Sequence, residues 1–231
     1  GRIFHAVGRS AAERGVKMLT KTIVSFPGLG IGEFEVDNVT FKIGENFSLY
    51  WYGIIITFGI ICAFLYTVFR GYYEKIKTDD IIDVTLWTVI LGVVGARLYY
   101  VIFRWEYYAA HPDEIIQIWN GGLAIYGGII CGILGIVIAT KIKKMNTIKL
   151  MDMAGPGVML AQAMGRWGNF FNGEAFGGIL SEGHPLYFIR MGLISNNSIS
   201  DFSTTDMVYV HPTFLYESIW NIVGFVIIQF F

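Results

Sequence analysis

The sequence predicts an all-α polytopic membrane protein with about five transmembrane helices and a small cap outside the membrane. Of its 231 residues, 54% are hydrophobic and only 15% are charged, and the mean hydropathy is +0.54. Soluble domains carry about 25% charged residues, so this composition is typical of a protein that lies in a bilayer.

Five apolar runs supply the predicted helices, because about 20 residues of helix cross the hydrocarbon core. These spans are residues 49–69, 84–103, 115–140, about 150–172, and a fifth that begins near residue 212. The polar segment 173–210 is predicted as an extracytoplasmic insertion with a short strand at 187–189. Residues 18–48 show some alternation of apolar and polar side chains and are predicted as an extracytoplasmic N-terminal arm.

The loops between the spans carry an uneven positive charge, which predicts the orientation. Seven cations lie in the loops after the first and third spans, and only Arg104 and Arg190 lie in the opposite loops. The positive-inside rule places the seven in the cytoplasm and segment 173–210 outside. The seven are Arg70, Lys75, Lys77, Lys141, Lys143, Lys144 and Lys149.

Residues 1–17 are polar and lack the apolar core of a secretory signal peptide. We expect them to be a non-native or read-through extension ahead of Met18. The two cysteines, Cys62 and Cys131, both lie inside apolar runs and are predicted to be small core residues. The four histidines show no metal-ligand spacing, so no metal or cofactor is expected; they are His5, His111, His184 and His211.

Ionisable residues near one end of several spans indicate a polar site in the outer leaflet. A charge at the centre of a bilayer costs roughly 2.5–3.5 kcal/mol on insertion scales. With the predicted orientation, Arg97, Arg166 and Glu217 all fall toward the outer ends of their spans, as do Tyr52, Tyr126 and His211. The alternative for Arg97 and Glu217 is that each extends to the interface without a functional role.

The densest functional signal is GRWGNFFNGEAFG at residues 165–177. Arg166 and Asn169 are three residues apart and share a helix face. A guanidinium beside a carboxamide, with glycine N–H groups nearby, suits phosphate oxygens. The alternative is a glycine-packed helix end in which Arg166 pairs with Glu174.

This motif resembles the signature of the phosphatidylglycerol–prolipoprotein diacylglyceryl transferases. Four further blocks resemble the family in its order, namely YWYG at 50–53, GARLYYVIF at 95–103, WNGGLAIYGG at 119–128 and HPTFLYE at 211–217. The resemblance covers most of residues 19–231. It implies a family fold of about seven transmembrane helices, of which residues 49–231 would form the catalytic domain.

The resemblance implies a specific reaction in bacterial lipoprotein maturation. The family moves the diacylglyceryl group of phosphatidylglycerol to the lipobox cysteine thiol of a prolipoprotein signal peptide and releases glycerol phosphate. The partners expected are therefore phosphatidylglycerol, the prolipoprotein and the lipid bilayer, with no nucleic acid. The expected location is the bacterial plasma (inner) membrane, with the active site facing the extracytoplasmic leaflet.

The resemblance also implies roles for individual residues. Signature positions are matched by Arg166, Asn169, Glu174 and Gly177, and the first and second spans contribute Tyr52 and Arg97. We expect Arg166 to stabilise the departing phosphate, with Asn169 as a neutral donor and Arg97 assisting. The proton acceptor stays open among Glu174, His211 and Tyr126. The expected lipid-binding residues are Arg166, Arg97, Tyr52, Asn172, Gly177 and Glu217.

The chain departs from the family pattern in two places. Many members have a histidine where this chain has Tyr126, and a tyrosine with a pKa near 10 is a poor base at neutral pH. Family members usually continue past the fifth block to a last helix that carries another essential arginine. Residues 1–231 of this sequence do not include that helix. The resemblance therefore leads us to expect that activity needs more than residues 1–231.

Two other classes of function compete with the transferase. A transporter or binding protein for an anionic lipid or small anion would use the same arginines, but predicts polar residues through to the cytoplasmic side. The inner halves of the first three spans are apolar. A non-catalytic assembly subunit would explain small residues such as Gly127 and Gly128 as helix contacts, but not the ionisable groups.

Overall fold

The computed structural model describes residues 21–43, 47–118, 121–194 and 207–230, which are mostly helical with additional strands. The helices are α1 (Trp51–Tyr73), α2 (Thr78–Phe103), α3 (Trp105–Ala110), α4 (Ile125–Ile142), α5 (Thr147–Asn172) and α6 (Thr213–Ile228). The strands are β1 (Lys21–Phe26), β2 (Ile31–Asp37), β3 (Val39–Ile43), β4 (Phe47–Tyr50), β5 (Met191–Ile194) and β6 (Val208–Val210). The all-α prediction is therefore wrong in detail. The predicted extension 1–17 lies outside the described residues.

Three helices, α1, α2 and α4, are long and apolar enough to cross a membrane. The multi-pass prediction is confirmed at that level. Helix α6 is apolar but has only 16 residues, and α5 has 26 residues with Pro156 inside it.

The third predicted span is wrong at its start, because α4 begins at Ile125 and not at residue 115. A short 3-10 helix at Pro112–Glu114 comes before it, and Gly121 and Gly122 have φ values of 86° and 76°. Positive φ is incompatible with a right-handed helix. The second span is longer than predicted, since α2 already begins at Thr78.

The chain divides into two compact units, and the first consists of residues 1–59 and 160–227. Its sheet has the strand order β2-β1-β5-β6, and all neighbours are antiparallel. Val24 of β1 pairs with Leu193 of β5, so the N-terminal arm and the 173–210 segment share one sheet. Residues 187–189 form a 3-10 helix instead of the predicted strand, and β5 begins after one intervening residue, Arg190.

One face of this sheet packs on the helices of the same unit. The buried core contains Val24, Val36, Met191, Val210 and Phe214, with Phe170, Phe171 and Phe176 packed against it. The β3–β4 hairpin then leads directly into α1, and the Trp51 ring stacks on Phe171 at 5.1 Å between centroids. The four-stranded sheet thus packs on the end of α5 and the start of α6, which carry the motif residues.

The second unit consists of residues 60–159 and 228–231. Helices α2 and α4 approach closely through glycines, since a side chain on Gly95 or Gly127 would collide with the backbone of the facing helix. Small residues permit such contacts between membrane helices. Both Cys62 and Cys131 are free and half-buried.

The ends of the helices in this unit are joined by apolar contacts and ion pairs. Ile81, Val84, Ala139, Leu150 and Met153 form a buried cluster. Around it, Lys143 pairs with Asp80 and Asp83, and Lys149 with Glu74 at 2.8 Å.

Candidate active site

Helix α5 ends inside the glycine-rich motif, and the way it ends positions Glu174. The Gly173 N–H donates to the carbonyl of Phe170, and the Glu174 N–H donates to the carbonyl of Asn169. This pair of bonds, with Gly173 at φ 65°, is a Schellman motif, which glycine favours because it has no Cβ. The turn brings the Glu174 side chain back toward the last turn of α5.

Two carboxamides hold the Glu174 carboxylate. The Asn169 and Asn172 side-chain amides both donate to its Oε1, at 3.3 and 3.0 Å. Among the described residues, no donor binds its other oxygen, Oε2. One oxygen of the carboxylate is therefore fixed, and the other is available to a substrate.

Arg166 lies one helical turn before Asn169, and its carboxylate partner comes from α6. Its Nε donates to Glu217 Oε2 at 2.7 Å, and its Nη1 donates to Asn169 Oδ1 at 3.5 Å. The two side chains of the ion pair are 37% and 47% exposed. Glu217, not Glu174, pairs with Arg166, so the alternative of an Arg166–Glu174 pair is not observed.

The contact between α5 and α6 sets the position of Glu217. The indole N–H of Trp167 donates to the hydroxyl of Ser218 at 3.2 Å, and Ser218 is buried. The Trp167 ring also meets Phe214 edge-on at 5.3 Å. Sequence analysis missed the Trp167–Ser218 pair; the only available signal was that Ser218 follows Glu217 directly.

Tyr52, near the start of α1, lies against Gly168 of the motif. A Cβ on Gly168 would come within 2.9 Å of the Tyr52 ring, so the close approach depends on glycine. Tyr52 is also within electrostatic range of Glu174 and Arg166. The structure thus brings Tyr52 together with the predicted motif residues.

Gly177 and His211 join the motif to the start of α6 through their backbones. The Gly177 N–H donates to the His211 carbonyl at 2.9 Å, and the His211 N–H donates to the Gly178 carbonyl at 3.1 Å. The Thr213 hydroxyl donates to the Ala175 carbonyl at 2.6 Å. The His211 ring lies 3.2 Å from the Tyr216 hydroxyl through Nδ1. No contact in the described residues joins this ring to Arg166 or Glu174.

Arg97 and Tyr126 belong to the second unit and have different surroundings. The Arg97 guanidinium donates to four backbone carbonyls at 2.7–2.9 Å, those of Glu114, Ile115, Gly121 and Gly122. It is only 7% exposed. Tyr126, in the first turn of α4, is 67% exposed and lies 6.4 Å from the Tyr99 ring.

The chemistry available in the first unit follows from the set Arg166, Asn169, Glu174 and Glu217. The set contains two carboxylates and one guanidinium. One chain of hydrogen bonds therefore holds both a carboxylate that can accept a proton and a guanidinium that can donate hydrogen bonds to a phosphate. The arginine N–H groups not bonded to Glu217 suit phosphate oxygens. Across the part of the chain that the structure describes, no three His, Cys, Asp or Glu side chains form a metal-binding group.

Comparison with known proteins decides the family. The sequence model of the family described as prolipoprotein diacylglyceryl transferase matches residues 38–231. The chain is a member of this family. The predicted resemblance is confirmed, and with it the prediction of a membrane-embedded transferase.

Individual relatives agree with the family assignment. A phosphatidylglycerol–prolipoprotein diacylglyceryl transferase of Streptococcus agalactiae serotype Ia is 46% identical over 194 residues, which cover 84% of this chain and 72% of the relative. Proteins of the same name are 43% identical in Lactobacillus acidophilus, over 84% of this chain and 67% of the relative, and 40% identical in Staphylococcus aureus strain Newman, over 87% and 70%. A family of transferases gives no support to the alternative of a transporter or anion-binding protein.

Proposed function

We propose that this chain transfers the diacylglyceryl group of phosphatidylglycerol to the lipobox cysteine of a prolipoprotein. The observation that carries the proposal is the family match over residues 38–231. These residues include Arg166, Asn169, Glu174 and Glu217, which we call the Arg166 cluster. In the reaction, the cysteine sulfur forms a bond to the terminal glycerol carbon of the lipid. The bond from that carbon to the phosphate oxygen breaks, and glycerol phosphate leaves with the electron pair.

Arg166 is the proposed holder of the departing phosphate. Its Nε is bound to Glu217, which fixes the plane of the guanidinium and leaves Nη donors for phosphate oxygens. Donors aimed at the place where charge develops are most effective when they are oriented before the reaction. Glu217 is therefore a positioning residue, and Asn169 supplies a neutral donor beside it.

Glu174 is the proposed acceptor of the thiol proton. The nucleophile is the thiolate, and a free cysteine has a pKa of about 8.5, so a base must assist at neutral pH. Glu174 is linked to Arg166 through Asn169 and presents Oε2 without a bound donor in the described residues. His211 and Tyr126 are then assigned supporting roles, His211 at the backbone of Gly177 and Tyr126 in positioning substrate through its hydroxyl.

The other predicted lipid contacts divide into two groups. In the first unit, Tyr52 packs on Gly168 of the motif, and Asn172 and Gly177 belong to the motif itself, Asn172 as a hydrogen-bond donor to Glu174. Arg97 belongs to the second unit, where its four carbonyl bonds leave at most one N–H for the lipid.

We place the protein in the bacterial plasma membrane, with five spans in this chain and the Arg166 cluster facing the extracytoplasmic leaflet. The seven-to-two distribution of loop cations supports this orientation. A cysteine at exposed Glu182 should react with an impermeant maleimide in intact cells, whereas one at exposed Lys144 should react only after the membrane is opened. The reverse pattern would move the site to the cytoplasmic leaflet.

The transferase activity itself is tested with membranes that contain the full-length protein. Labelled phosphatidylglycerol is offered with a lipobox peptide that carries cysteine, and the labelled peptide is measured. The matched peptide with serine should stay unlabelled, because the reaction forms a thioether. Equal labelling of both peptides would reject attack by the thiol.

A further inference from the structure

A cavity of about 250 Å³ lies in the second unit, where α2 ends and α3 begins. Two arginines, Arg97 and Arg104, line it together with Tyr100, Tyr107 and Glu114. None of these residues belongs to the Arg166 cluster.

The charges around the cavity favour an anion. Its lining contains two guanidinium groups and one carboxylate, Glu114, which accepts a hydrogen bond from the Tyr107 hydroxyl at 2.9 Å. Arg97 binds the backbone carbonyl of Glu114 and not its carboxylate. In the part of the chain that the structure describes, neither Arg97 nor Arg104 forms an ion pair. Arg97 is buried and its charge faces only carbonyl oxygens, whereas Arg104 is exposed at the mouth of the cavity. Buried charges in proteins are generally paired, so an anion that enters beside Arg104 would supply the charge partner that Arg97 lacks.

The hydrogen bonds and exposure of each arginine show how many of its donors are available to an anion. Arg97 is 7% exposed, and besides its carbonyl bonds its guanidinium faces the Tyr108 ring at 5.2 Å. Its four hydrogen bonds leave at most one of its five N–H groups. Arg104 is exposed and has the Tyr100 ring 5.8 Å from its Cζ. Among the described residues its guanidinium forms no hydrogen bond, so its donors remain for a ligand.

The size and the aromatic surroundings narrow the class of anion. Pockets for drug-sized ligands have volumes of about 300–1,000 Å³, so this cavity suits a smaller polar group. Tyr100, Trp105, Tyr107 and Tyr108 lie around the end of an apolar helix. Tyrosine and tryptophan concentrate at the level of the lipid headgroups. A phosphate-bearing group is the anion expected at that level.

We propose that this cavity binds a phosphate-bearing headgroup through the Arg104 guanidinium and the remaining N–H of Arg97. The shared chemistry is a glycerol phosphate, either within phosphatidylglycerol or as the free ester. The choice of this headgroup rests on the proposed function, whereas the cavity and its charge do not.

The test measures how the full chain in detergent binds two phosphate-bearing probes. The chain carries Arg166→Ala, so that the Arg166 cluster does not contribute to the binding. Water-soluble dihexanoyl phosphatidylglycerol and free glycerol phosphate are titrated separately by calorimetry. Arg104→Gln should weaken binding about tenfold, which corresponds to a loss of about 1.4 kcal/mol in binding free energy. The control Arg70→Gln removes an exposed arginine of the same unit and should leave the affinity unchanged.

The two probes distinguish the source of the phosphate. Binding of the lipid alone assigns the cavity to intact phosphatidylglycerol, and binding of both assigns it also to the free ester. If Arg104→Gln lowers the melting temperature, Arg104→Lys, which keeps the charge and loses the planar fork, should show a smaller loss of affinity. No binding of either probe, no change with either Arg104 variant, or an equal loss in Arg70→Gln would overturn the proposal.

A transfer assay on the chain with intact Arg166 separates this proposal from the proposed function. Binding that depends on Arg104, in a protein that does not label a cysteine peptide, would reject the transferase mechanism and leave the cavity assignment standing. Normal transfer by a protein that binds neither probe in the cavity would reject the cavity assignment and leave the transferase function standing.

Discussion

Arg166 and Arg97 occupy similar positions in the sequence, each in a glycine-containing stretch near the end of an apolar helix, yet their partners differ in kind. Arg166 is bound to a carboxylate and a carboxamide, and its side chain is 37% exposed. Arg97 is bound to four backbone carbonyls and is 7% exposed. The Arg166 guanidinium is oriented by side chains, whereas the Arg97 guanidinium binds and orders a loop.

The difference teaches that a charged residue in a membrane segment can serve two purposes. A guanidinium that satisfies the carbonyls of a non-helical segment removes the cost of unpaired backbone groups at membrane depth. A guanidinium held by one carboxylate keeps donors for a substrate. We therefore expect changes at Arg97 to affect stability first, and changes around Arg166 to affect turnover first.

The largest loss of stability is expected for Arg97→Lys. A lysine has three donors on one nitrogen and cannot reach four carbonyls spread over residues 114–122, so part-buried acceptors are left unpaired. We expect a loss of about 3 kcal/mol in the free energy of unfolding, measured as reduced thermal stability in detergent. Arg70→Lys, at an exposed position, is the control. Equal stability of both variants would remove the structural role from Arg97.

A smaller effect is expected for Gly177→Ala in the first unit. The new Cβ would lie 2.7 Å from the Cβ of His211 and 2.8 Å from Cγ2 of Thr213, so the start of α6 must shift. Overpacking of this kind costs about 1–3 kcal/mol. Because the shift moves the helix that carries Glu217, turnover should fall as well. Gly178→Ala has open space around its Cβ and should retain both stability and activity; similar losses in the two variants would contradict this account.

The structure also shows what the sequence could and could not predict around these residues. The spacing of Arg166 and Asn169 predicted a shared helix face, and their side chains do meet. The Arg166–Glu217 pair joins residues 51 positions apart and depends on how α5 packs on α6, which no local pattern encodes. The same holds for β1 pairing with β5 across about 170 residues. Similarly, the apolar residues at the start of the predicted third span suggested helix. Gly121 and Gly122 instead have positive φ, and their carbonyls bind Arg97, which prevents a helix at these two residues.

Tyr126→Phe should reduce transfer by less than about 10²-fold, the lower limit for loss of a general base. Tyr126 is 67% exposed, and within the described residues nothing binds its hydroxyl. Such a group can position substrate but is poorly placed to hold a proton. The measurement is the pH–rate profile of both proteins. Disappearance of the basic limb in the phenylalanine variant would make Tyr126 the base and Glu174 a positioning residue.

The smallest effect on stability is expected for Glu74→Gln. It removes one partner of a largely exposed ion pair, and its effect is compared with that of changing the buried Arg97. The hydrogen bond and charge of Lys149 lower the pKa of the Glu74 carboxyl. The pKa of Glu74 is lower in the folded protein than in the unfolded chain. The ion pair therefore stabilises the fold at pH values above the pKa of the unfolded chain, and this stabilisation is lost as the pH falls through the pKa of the folded protein. Between about pH 6 and about pH 3, thermal stability should therefore fall slightly less in Glu74→Gln than in the parent. Exposed Glu106→Gln, outside the ion pairs, is the control; an unchanged acid dependence in Glu74→Gln would show that the pair contributes nothing.

The most direct test of the central claim is transfer activity per folded molecule in Arg166→Lys, with thermal stability in detergent recorded for the same samples. Lysine keeps the charge beside Glu217 but loses the planar fork that engages phosphate oxygens. If Arg166 holds the departing phosphate, the variant should insert and melt like the parent while transfer falls by about 10²–10³-fold, as when one donor to a developing charge is removed. Parental turnover in a stably folded Arg166→Lys protein would contradict the account.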